Sequence, residues 1–457
     1  MTMDAARLRA WLTELIGRFD VPGATLGVLR DGQIVDVAAG VLSRATLVPA
    51  TPDSVFQIGS ITKVWTATLI MQLVDEGRLA LDTPVVDVLP GFAVADPGVT
   101  RTVTVRHLLT HTSGIDGDVF VDTGRGDDAV ERYVERLADV AQTHPLDATF
   151  SYCNSGFSVA GRIVEVLTGL TWDAAIRERI AAPLGLMATV TLPEDAILHR
   201  AAVGHLGEPG RSLAPTTVWA LPRSGGPAGR ITARVHDVLA FARMHLAGGA
   251  APDGTRLLST ASAAAMTEHQ VDVPDPAAIG DSWGLGWIRF DWDGHRLVGH
   301  DGGTVGQRAY LRVLPERDVA VCLLTNGGDT AGMYRELFAE LADVTMPAPF
   351  APPADPPAVD LRPYVGRYSR AGFDTDVFAR DGSLAMRVTV NGLLGDLLPE
   401  LSREHLLVPV AEGHFATRPE GATQWEPVFF YTLADGSRYL HHGVRANPRV
   451  EAGAEPR

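Results

Sequence analysis

Lysine is almost absent from this sequence. Of its 39 basic residues only one, Lys63, is a lysine, and the other 38 are arginines. Arginine serves well for charge pairing, but its guanidinium keeps its proton at working pH. A lysine ammonium, with a pKa of about 10.4, loses its proton when burial or neighbouring charges lower that pKa. Lys63 is therefore suited to a task that arginine cannot perform, the uptake of a proton as a base.

Cysteine and long apolar runs are also scarce. The two cysteines, Cys153 and Cys322, are far apart and show neither Cys-x-x-Cys nor Cys/His spacing, which argues against structural zinc and fits a reducing compartment. No apolar run reaches the length of about 18 residues that a membrane span needs. Residues 1–20 show the pattern of an amphipathic helix and lack a signal-peptide core. We therefore expect a cytoplasmic protein.

Charge and length bound the partners and the domain count. A formal net charge of −16 argues against nucleic acid or an anionic membrane as a partner. With 457 residues and 46% apolar content the chain can form two domains. Six prolines within 347–360 predict a stiff linker. We predict a catalytic domain over 1–346 and a C-terminal β domain over 361–457, because short alternating runs between turns dominate there.

The predicted fold class of the first domain is α/β. Strand-like runs lie near both of its ends, while its middle is mostly helical. The natural assembly is one antiparallel sheet flanked by the two terminal helices, beside an all-helical lobe. The predicted strands are 24–29, 33–38, 55–58, 283–290, 296–299, 308–314 and 319–325, followed in the second domain by 364–368, 384–390, 405–410, 428–433 and 438–442. The predicted helices include 128–142, 155–168, 172–182, 235–247, 259–268 and 330–344.

A Ser-x-x-Lys spacing places Ser60 three residues before Lys63, where a short apolar strand and Gly59 lead into a long apolar helix. Residues i and i+3 share a helix face, so the amine can approach the hydroxyl while the helix dipole favours negative charge there. A deprotonated amine is what a serine nucleophile needs. Chance spacing is the alternative, and the sole lysine argues against it. We predict Ser60 as nucleophile and Lys63 as its base or proton relay.

Two further segments carry candidate site residues. Tyr152 and Asn154, two apart before a helix, can point into one cleft, where the phenol exchanges a proton and the amide holds Lys63 or a substrate amide. Taken alone, this pair is uninformative, and surface or capping residues are the alternative. In Gly299-His-Asp-Gly-Gly303 the glycines allow a substrate backbone to lie close as an added strand. The candidate residues of this segment are His300, Asp301, Gly302 and Gly303, with a Gly-rich hairpin as the alternative.

The sequence gives little support for a metal site or for a Ser-His-Asp triad. His107 and His111, four residues apart, imitate half of a zinc site, but no acidic general base lies between them and no third ligand is evident. We interpret them as braces of a loop and expect neither a metal nor a cofactor. No Gly-x-Ser-x-Gly motif occurs, which weakens a Ser-His-Asp hydrolase interpretation.

Three motifs in this order resemble those of the serine β-lactamase and penicillin-binding-protein superfamily: Ser60-Ile-Thr-Lys63, Tyr152-Cys-Asn154 and His300-Asp-Gly302. The segments 108–114, 183–186 and 225–229 are also similar to family signatures. The resemblance, which covers about residues 5–345, implies a covalent acyl-enzyme on Ser60, with Lys63 and Tyr152 handling protons. It implies an oxyanion hole formed by the backbone N–H groups of Ser60 and Gly303.

The third motif departs from the commonest pattern of that superfamily. At the position that resembles His300 of this chain, β-lactamases and most transpeptidases carry a lysine. That lysine helps to anchor a substrate carboxylate, so its absence puts ordinary β-lactamase activity in doubt. A histidine at this place is similar to certain D,D-carboxypeptidases, esterases and peptide-processing relatives.

The whole layout resembles one subgroup, the penicillin-binding-protein-type thioesterases of nonribosomal peptide assembly lines. Those stand-alone enzymes have a lipocalin-like C-terminal domain, accept a carrier-bound peptidyl thioester ending in a D-residue, and release a head-to-tail macrolactam. The segment 117–128 also looks like that subgroup. The resemblance implies a peptidyl thioester, on a peptidyl carrier protein, as the partner. The small domain would roof the cleft, where Arg445 is a candidate substrate contact, with surface solvation as the alternative for a single arginine.

Three alternatives stay open at this point. A cytoplasmic hydrolase of the same chemistry, such as an esterase, a D-aminopeptidase or a D,D-carboxypeptidase-like enzyme, would use water as the acceptor. A non-catalytic acyl-binding sensor would be labelled once at Ser60 without turnover. A pure interaction protein would tolerate the loss of Ser60 in every assay, which the sole lysine at Ser-x-x-Lys argues against.

Overall fold

An antiparallel sheet forms the centre of the first part of the chain. The computed structural model describes residues 4–390, 402–420 and 422–450. The strands before the linker are β1 Gly23–Arg30, β2 Gln33–Gly40, β3 Ser54–Gln57, β4 Arg200–Ala201, β5 His205–Leu206, β6 Ala214–Pro215, β7 Thr232–Ala233, β8 Val271–Asp272, β9 Ser282–Trp283, β10 Ile288–Trp292, β11 His295–Gly303, β12 Arg308–Leu314 and β13 Val319–Thr325. The main sheet, in the part of the chain described, has the order β2-β1-β13-β12-β11-β10-β9-β8.

Helices cover both faces of this sheet and build a separate lobe. The α-helices are α1 Ala5–Arg18, α2 Thr62–Asp75, α3 Val85–Val88, α4 Pro97–Thr102, α5 Val105–Thr110, α6 Ala129–Glu135, α7 Asn154–Thr168, α8 Trp172–Ile176, α9 Pro193–Ala196, α10 Gly226–Gly229, α11 Val235–Leu246, α12 Thr260–Thr267 and α13 Thr330–Leu341. Short 3-10 turns occur at Gly59–Ile61, Arg136–Asp139, Arg223–Gly225, Pro315–Arg317 and Arg362–Tyr364, and a π-helical turn at Arg177–Ala181.

The two faces of the sheet have different cores. On one face, α1 and α13 pack against the strands, and Leu12, Phe338 and Leu323 share one buried cluster. On the other face, Leu324 of β13 belongs to the larger cluster that includes Trp65 of α2 and helix α11. Consecutive residues of β13 thus point to opposite cores, as the period of two along a strand requires. The predicted fold class, a helix-flanked antiparallel sheet beside a helical lobe, is confirmed.

Two predicted strands differ in the structure. The run 55–58 becomes β3, which leaves the main sheet and pairs with β4 and β7, since it delivers the chain to the buried start of α2. The run 283–290 divides into β9 and β10. Gly284 approaches the Met266 carbonyl oxygen so closely that a Cβ there would clash, and Gly286 has a positive φ of 81°. These two glycines bend the chain, so a continuous strand cannot form.

After the linker a closed barrel follows. Its strands are β14 Gly366–Arg370, β15 Phe373–Arg380, β16 Ser383–Val390, β17 Ser402–Ala411, β18 His414–Thr417, β19 Glu426–Thr432, β20 Arg438–His442 and β21 Arg445–Val450. Antiparallel pairing of β14 with β21 closes the ring, and Tyr368, Phe415 and Leu440 lie in its core. The barrel is consistent with the predicted lipocalin-like domain. No helix that the structure describes combines the length and apolar composition of a membrane span.

The packing of α13 on the sheet generates a stability prediction. Phe338 is fully buried between α13 and the strands, so Phe338→Ala leaves a cavity and is expected to destabilise the first domain by about 3–5 kcal/mol. Urea unfolding followed by tryptophan fluorescence measures this change. Glu340→Ala, two residues away on the exposed side of the helix, is the matched control and should leave the midpoint nearly unchanged. Equal midpoints for both variants would contradict the prediction.

Candidate active site

Ser60 lies where a tight turn becomes helix α2. Gly59 opens the 3-10 turn with a positive φ of 52°, a backbone conformation that favours glycine. The α-helix starts at Thr62, so Lys63 lies in its first turn. The Nζ atom of Lys63 is 3.1 Å from the Oγ atom of Ser60. The Ser-x-x-Lys spacing thus places the amine beside the hydroxyl, as a base requires.

Lys63 is fully buried, and three atoms surround its amine. Besides the Ser60 hydroxyl, the Oδ1 atom of Asn154 and the carbonyl oxygen of Ala228 each lie 2.7 Å from Nζ. Burial lowers the pKa of Lys63 well below its ordinary value, and the neighbouring cation Arg445 lowers it further. A neutral amine has two N–H donors and one lone pair, which match two accepting oxygens and one donating hydroxyl. The geometry suits Lys63 as the base for Ser60.

Tyr152 lies on the other side of the Ser60 hydroxyl. It is buried, its hydroxyl hydrogen-bonds Ser60, and its ring centroid is 4.8 Å from the Lys63 amine. Burial raises the pKa of the Tyr152 phenol, and the hydrogen bond with Ser60 offsets only part of this effect. The phenol therefore keeps its proton at neutral pH. A protonated Tyr152 beside a neutral Lys63 provides a proton donor and a proton acceptor around one hydroxyl.

Asp118, for which the sequence suggested no role, orients Asn154 beside Lys63. Its carboxylate accepts a hydrogen bond of 3.0 Å from the Asn154 amide nitrogen, which fixes the Asn154 oxygen toward Lys63. Its remaining partners come from the barrel: Arg370 at 2.6 Å and Arg445 at 2.9 Å. Burial alone would raise the pKa of Asp118, but these two guanidiniums lower it to about 2. The carboxylate is therefore charged at any working pH.

The barrel reaches the catalytic lobe through backbone contacts as well. The Tyr152 N–H donates to the Val444 carbonyl oxygen at 3.0 Å, and the Ala446 N–H donates to the Ser151 hydroxyl at 3.1 Å. The guanidinium of Arg445 lies 4.9 Å from the Tyr152 ring centroid. Asp116 adds another tie, because its carboxylate accepts the Ala371 N–H at 2.5 Å. The segment that carries Tyr152 is thus held from the barrel side.

His300 is buried and neutral. Its Nδ1 atom lies 2.6 Å from the carbonyl oxygen of Asp301, so Nδ1 carries the proton and Nε2 the lone pair. Burial is the main cause that lowers the pKa of His300 to about 3. Its ring centroid is 6.2 Å from that of Tyr152. His300 therefore reaches the site without a positive charge.

The residues after His300 separate into two groups. The Asp301 carboxylate is engaged by Arg312 at 2.6 Å, and Arg312 packs on Phe290. Gly302 and Gly303 instead touch the turn that carries the nucleophile. A Cβ on Gly302 would clash with the Ile58 carbonyl oxygen, and a Cβ on Gly59 would clash with the Gly303 nitrogen. This close approach brings the Gly303 backbone to the segment of Ser60, where the sequence analysis expects the oxyanion hole.

The two histidines with zinc-like spacing, His107 and His111, make different contacts. The His107 Nδ1 atom lies 2.8 Å from the Thr104 hydroxyl at the start of α5. His111 ends that helix with a φ of 60°, accepts the Cys153 N–H at 2.9 Å, and stacks on Tyr152 with 4.4 Å between ring centroids. No group of three or more potential ligands with metal-site geometry occurs among the described residues. His111 thus supports the Tyr152 segment.

The structure brings together most of the candidate residues. Ser60, Lys63, Tyr152 and Asn154 are linked by hydrogen bonds, His300 and Gly303 border them, and Arg445 enters from the barrel. Asp301 is engaged elsewhere. The sequence did not reveal Asp118 and Arg370 as site residues. The one sequence signal was the resemblance of segment 117–128 to the thioesterase subgroup. The ion pair itself joins positions 252 residues apart.

Comparisons with known proteins agree with this geometry. Residues 8–346 match the family model described as Beta-lactamase. Penicillin-binding protein 4 of Amycolatopsis lactamdurans is 52% identical, over 81% of this chain and 99% of that protein. The crystal structure of SurE is similar at 29% identity and a TM-score of 0.78, over 98% of this chain and 99% of that chain. SurE with D-Leu is similar at 27% identity and a TM-score of 0.74, with the same coverage.

A further relative carries the name of a hydrolase. Unguisins hydrolase ungD′ of Aspergillus campestris is 28% identical, over 68% of this chain and 60% of that protein. The SurE match extends over nearly the whole chain, so it includes the barrel as well as the catalytic lobe.

The buried ion pairs of Asp118 generate a prediction on stability. Asp118→Asn keeps the shape of the side chain but leaves Arg370 and Arg445 buried without their anion, which is expected to cost about 3–5 kcal/mol. Thermal unfolding followed by circular dichroism measures the loss. Asp343→Asn removes the partner of Arg317 at an exposed site and should leave the midpoint nearly unchanged. An Asp118→Asn midpoint as high as that of Asp343→Asn would show that the cluster does not hold the domains.

A second prediction concerns pH. Lys63 must be neutral to act as a base, so the acylation rate rises with pH through the pKa of Lys63. Because Arg445 lowers that pKa, Arg445→Met is expected to raise it and to move the acidic limb of kcat/KM to higher pH. The rate of acylation by a neutral chromogenic ester, measured between pH 5 and pH 10, gives the profile. Arg438→Met, an exposed change in the same barrel, serves as control, and an unshifted limb for Arg445→Met would disprove the electrostatic role.

Proposed function

The chain belongs to the β-lactamase family, and we propose that within this family it is a stand-alone thioesterase that releases and cyclises peptides. As a family member it is a serine hydrolase or acyltransferase of the β-lactamase and penicillin-binding-protein type. In our proposal the acyl donor is a nonribosomal peptidyl thioester ending in a D-residue and attached to a carrier protein. The product is a head-to-tail macrolactam.

The neutrality of His300 is the observation that carries this proposal. A β-lactam or a D,D-peptide bears a carboxylate next to the bond that is cleaved, and a cation in the third motif suits that group. His300 is fully buried with its Nδ1 atom bound to the Asp301 carbonyl oxygen, and burial lowers its pKa to about 3, so it offers no such cation at working pH. A thioester has no carboxylate beside its scissile bond, so it fits a site without that charge.

Two further observations support the choice. SurE, which is similar over 98% of this chain including the barrel, has been solved with D-Leu, and a D-residue at the acyl position agrees with that ligand. The barrel also contributes Arg445, whose charge lowers the pKa of Lys63, and Arg370, which binds Asp118. A carrier-bound donor is made inside the cell, so the proposal requires the enzyme to work in the cytoplasm.

Acylation begins at the Ser60 hydroxyl. Its oxygen attacks the thioester carbonyl carbon while its proton passes to the neutral Lys63 amine 3.1 Å away. The N–H groups of Ser60 and Gly303 stabilise the oxyanion; loss of one such donor typically costs about 10² to 10³ in rate. The carbon–sulfur bond then breaks, and the leaving thiolate takes a proton from Tyr152, which is replenished from Lys63. The peptide is now an ester of Ser60.

Release repeats these steps with a different nucleophile. The α-amine of the same peptide attacks the ester carbon, gives up a proton through Tyr152 to Lys63, and forms the amide bond as the Ser60 oxygen leaves. That oxygen recovers a proton, which restores the free enzyme. Cyclisation exceeds hydrolysis only when the amine is held close to the ester, where effective molarities of about 10⁵ M or more are attainable.

Hydrolysis is the second candidate function. The similarity to a protein named unguisins hydrolase and the partial exposure of Ser60 both favour it. Water would then take the place of the α-amine with the same residues in the same roles. The two functions differ only in the acceptor, so the product separates them.

The test is product analysis by mass spectrometry. Purified protein is given linear peptidyl thioesters that differ only in a D- or L-residue at the acyl end, with Ser60→Ala as control. We expect a cyclic product that is lighter than the free acid by one water, about 18 Da. It should form from the D-series alone, and Ser60→Ala should not form it. Free acid as the sole product would establish the hydrolase, and no turnover of thioesters alongside turnover of simple esters would refute the thioesterase.

A further inference from the structure

A cavity of about 440 Å³ lies beside the catalytic turn. Its walls are mostly apolar and include Trp219, Leu221 and Val305. Leu221 approaches Gly229, and the Gly59 backbone lies on the same side of that glycine, within 3.8 Å of an added Cβ. Val305 follows Gly303 by two residues. The cavity therefore lies close to the turn that carries Ser60.

Three arginines line this cavity, and two of them have carboxylate partners. Arg223 is paired with Asp127 at 2.8 Å and with Asp173 at 2.9 Å. Arg125 is paired with Glu194 at the rim. The partners of these two guanidiniums already satisfy their charge, so neither requires a ligand.

Arg230 is different from the other two. Its side chain lines the cavity and is only 8% exposed, and its NH1 atom is buried without a hydrogen-bond partner among the described residues. No side chain that the structure describes forms an ion pair or hydrogen bond with its guanidinium. Burial lowers the pKa of Arg230, and the charges of Asp173 and, more weakly, of Asp122 in the cavity lining oppose this effect without contacting the guanidinium.

An unpaired buried guanidinium is costly in a protein that has no use for it. A buried charge is normally paired or hydrogen-bonded, because the loss of hydration is not otherwise compensated. The planar guanidinium with its fork of N–H donors matches a carboxylate in two parallel hydrogen bonds. The apolar walls around Arg230 suit the methylene stem that carries such a group.

We propose that Arg230 binds the carboxylate of an acidic side chain, Asp or Glu, in one of the two residues nearest the acyl carbon of the substrate. The inference rests on the proposed function, since it names a feature of the peptide that Ser60 accepts. The cavity receives the stem, and the guanidinium receives the carboxylate. Arg230 is then the residue that selects one class of peptide.

The experiment compares substrates that differ in one group. Peptidyl N-acetylcysteamine thioesters are made in pairs, Glu against Gln and Asp against Asn, at the last and at the penultimate position. We expect the wild type to prefer the acid by about 10- to 100-fold in kcat/KM, as a hydrogen-bonded charge pair implies. The preference should lie in KM, with kcat changed less than about twofold, because the contact is equal in ground and transition states.

Variants assign the preference to one side chain. Arg230→Met should abolish the discrimination between acid and amide peptides, and Arg230→Lys should keep part of it. Arg177→Met changes an exposed arginine that does not line the cavity and should behave as the wild type. Equal rates for acid and amide in the wild type, or a preference that survives Arg230→Met, would overturn the proposal.

A binding measurement separates this proposal from the proposed function. Ser60→Ala retains the cavity but cannot react, so calorimetric titration with the free Glu- and Gln-containing peptides reports recognition alone. Tighter binding of the acidic peptide, lost in Ser60→Ala/Arg230→Met, supports the carboxylate site even if no thioester is turned over. Turnover of thioesters without any such difference in binding would retain the thioesterase and reject the carboxylate site.

Discussion

The buried carboxylate of Asp118 is the interaction on which the rest of the site depends. It joins the two guanidiniums of the barrel, Arg370 and Arg445, to the amide of Asn154, and through Asn154 to the amine of Lys63. Cations and anions in this cluster are already matched, with Asp116 nearby as a further carboxylate. A proton on Lys63 would add an uncompensated positive charge beside Arg445. The electrostatics of the barrel thus make a neutral Lys63 the favoured state.

This constraint also gives a physical reason for a single lysine among so many arginines. At a position enclosed by Asn154, Ala228 and the Ser60 hydroxyl, an arginine would keep its charge and would offer no lone pair. Everywhere else the fixed charge of arginine serves, as at Asp118, Asp301 and Asp173. Lys63, the one basic residue that has to lose a proton, is also the one that is not an arginine.

Local spacing was enough to predict part of the site and could not predict the remainder. Ser60 and Lys63 are three residues apart, so the helix geometry alone brings them together. Asp118 and Arg370 meet across 252 residues and two domains, and no local pattern marks such a pair. The orientation of Asp301 likewise depended on Arg312, a partner in the neighbouring strand.

The same limit applies to the fold. The strands of the first domain were predicted where their apolar runs were continuous, whereas the run 283–290 broke at Gly284 because the carbonyl of Met266, 18 residues earlier in the chain, occupies the space a side chain would need. In the barrel, β15, β18 and β21 were not predicted. β15 contains the polar run Asp374-Thr375-Asp376, and β21 carries Asn447 and Pro448 among its six residues, so their pairing with neighbours rather than their own composition defines them as strands.

The distribution of positive charge around Ser60 links these observations to function. The third motif contributes a neutral His300, while Arg370 and Arg445 are engaged by Asp118, and Arg230 has no ion-pair partner among the described residues. If Arg230 binds a substrate carboxylate as we propose, charge recognition lies in that cavity rather than at the scissile bond. An enzyme arranged in this way would select its acyl donor by the peptide and not by a charged leaving group. That separation suits a donor whose leaving group is a carrier thiol common to many substrates, because only the peptide then distinguishes one donor from another.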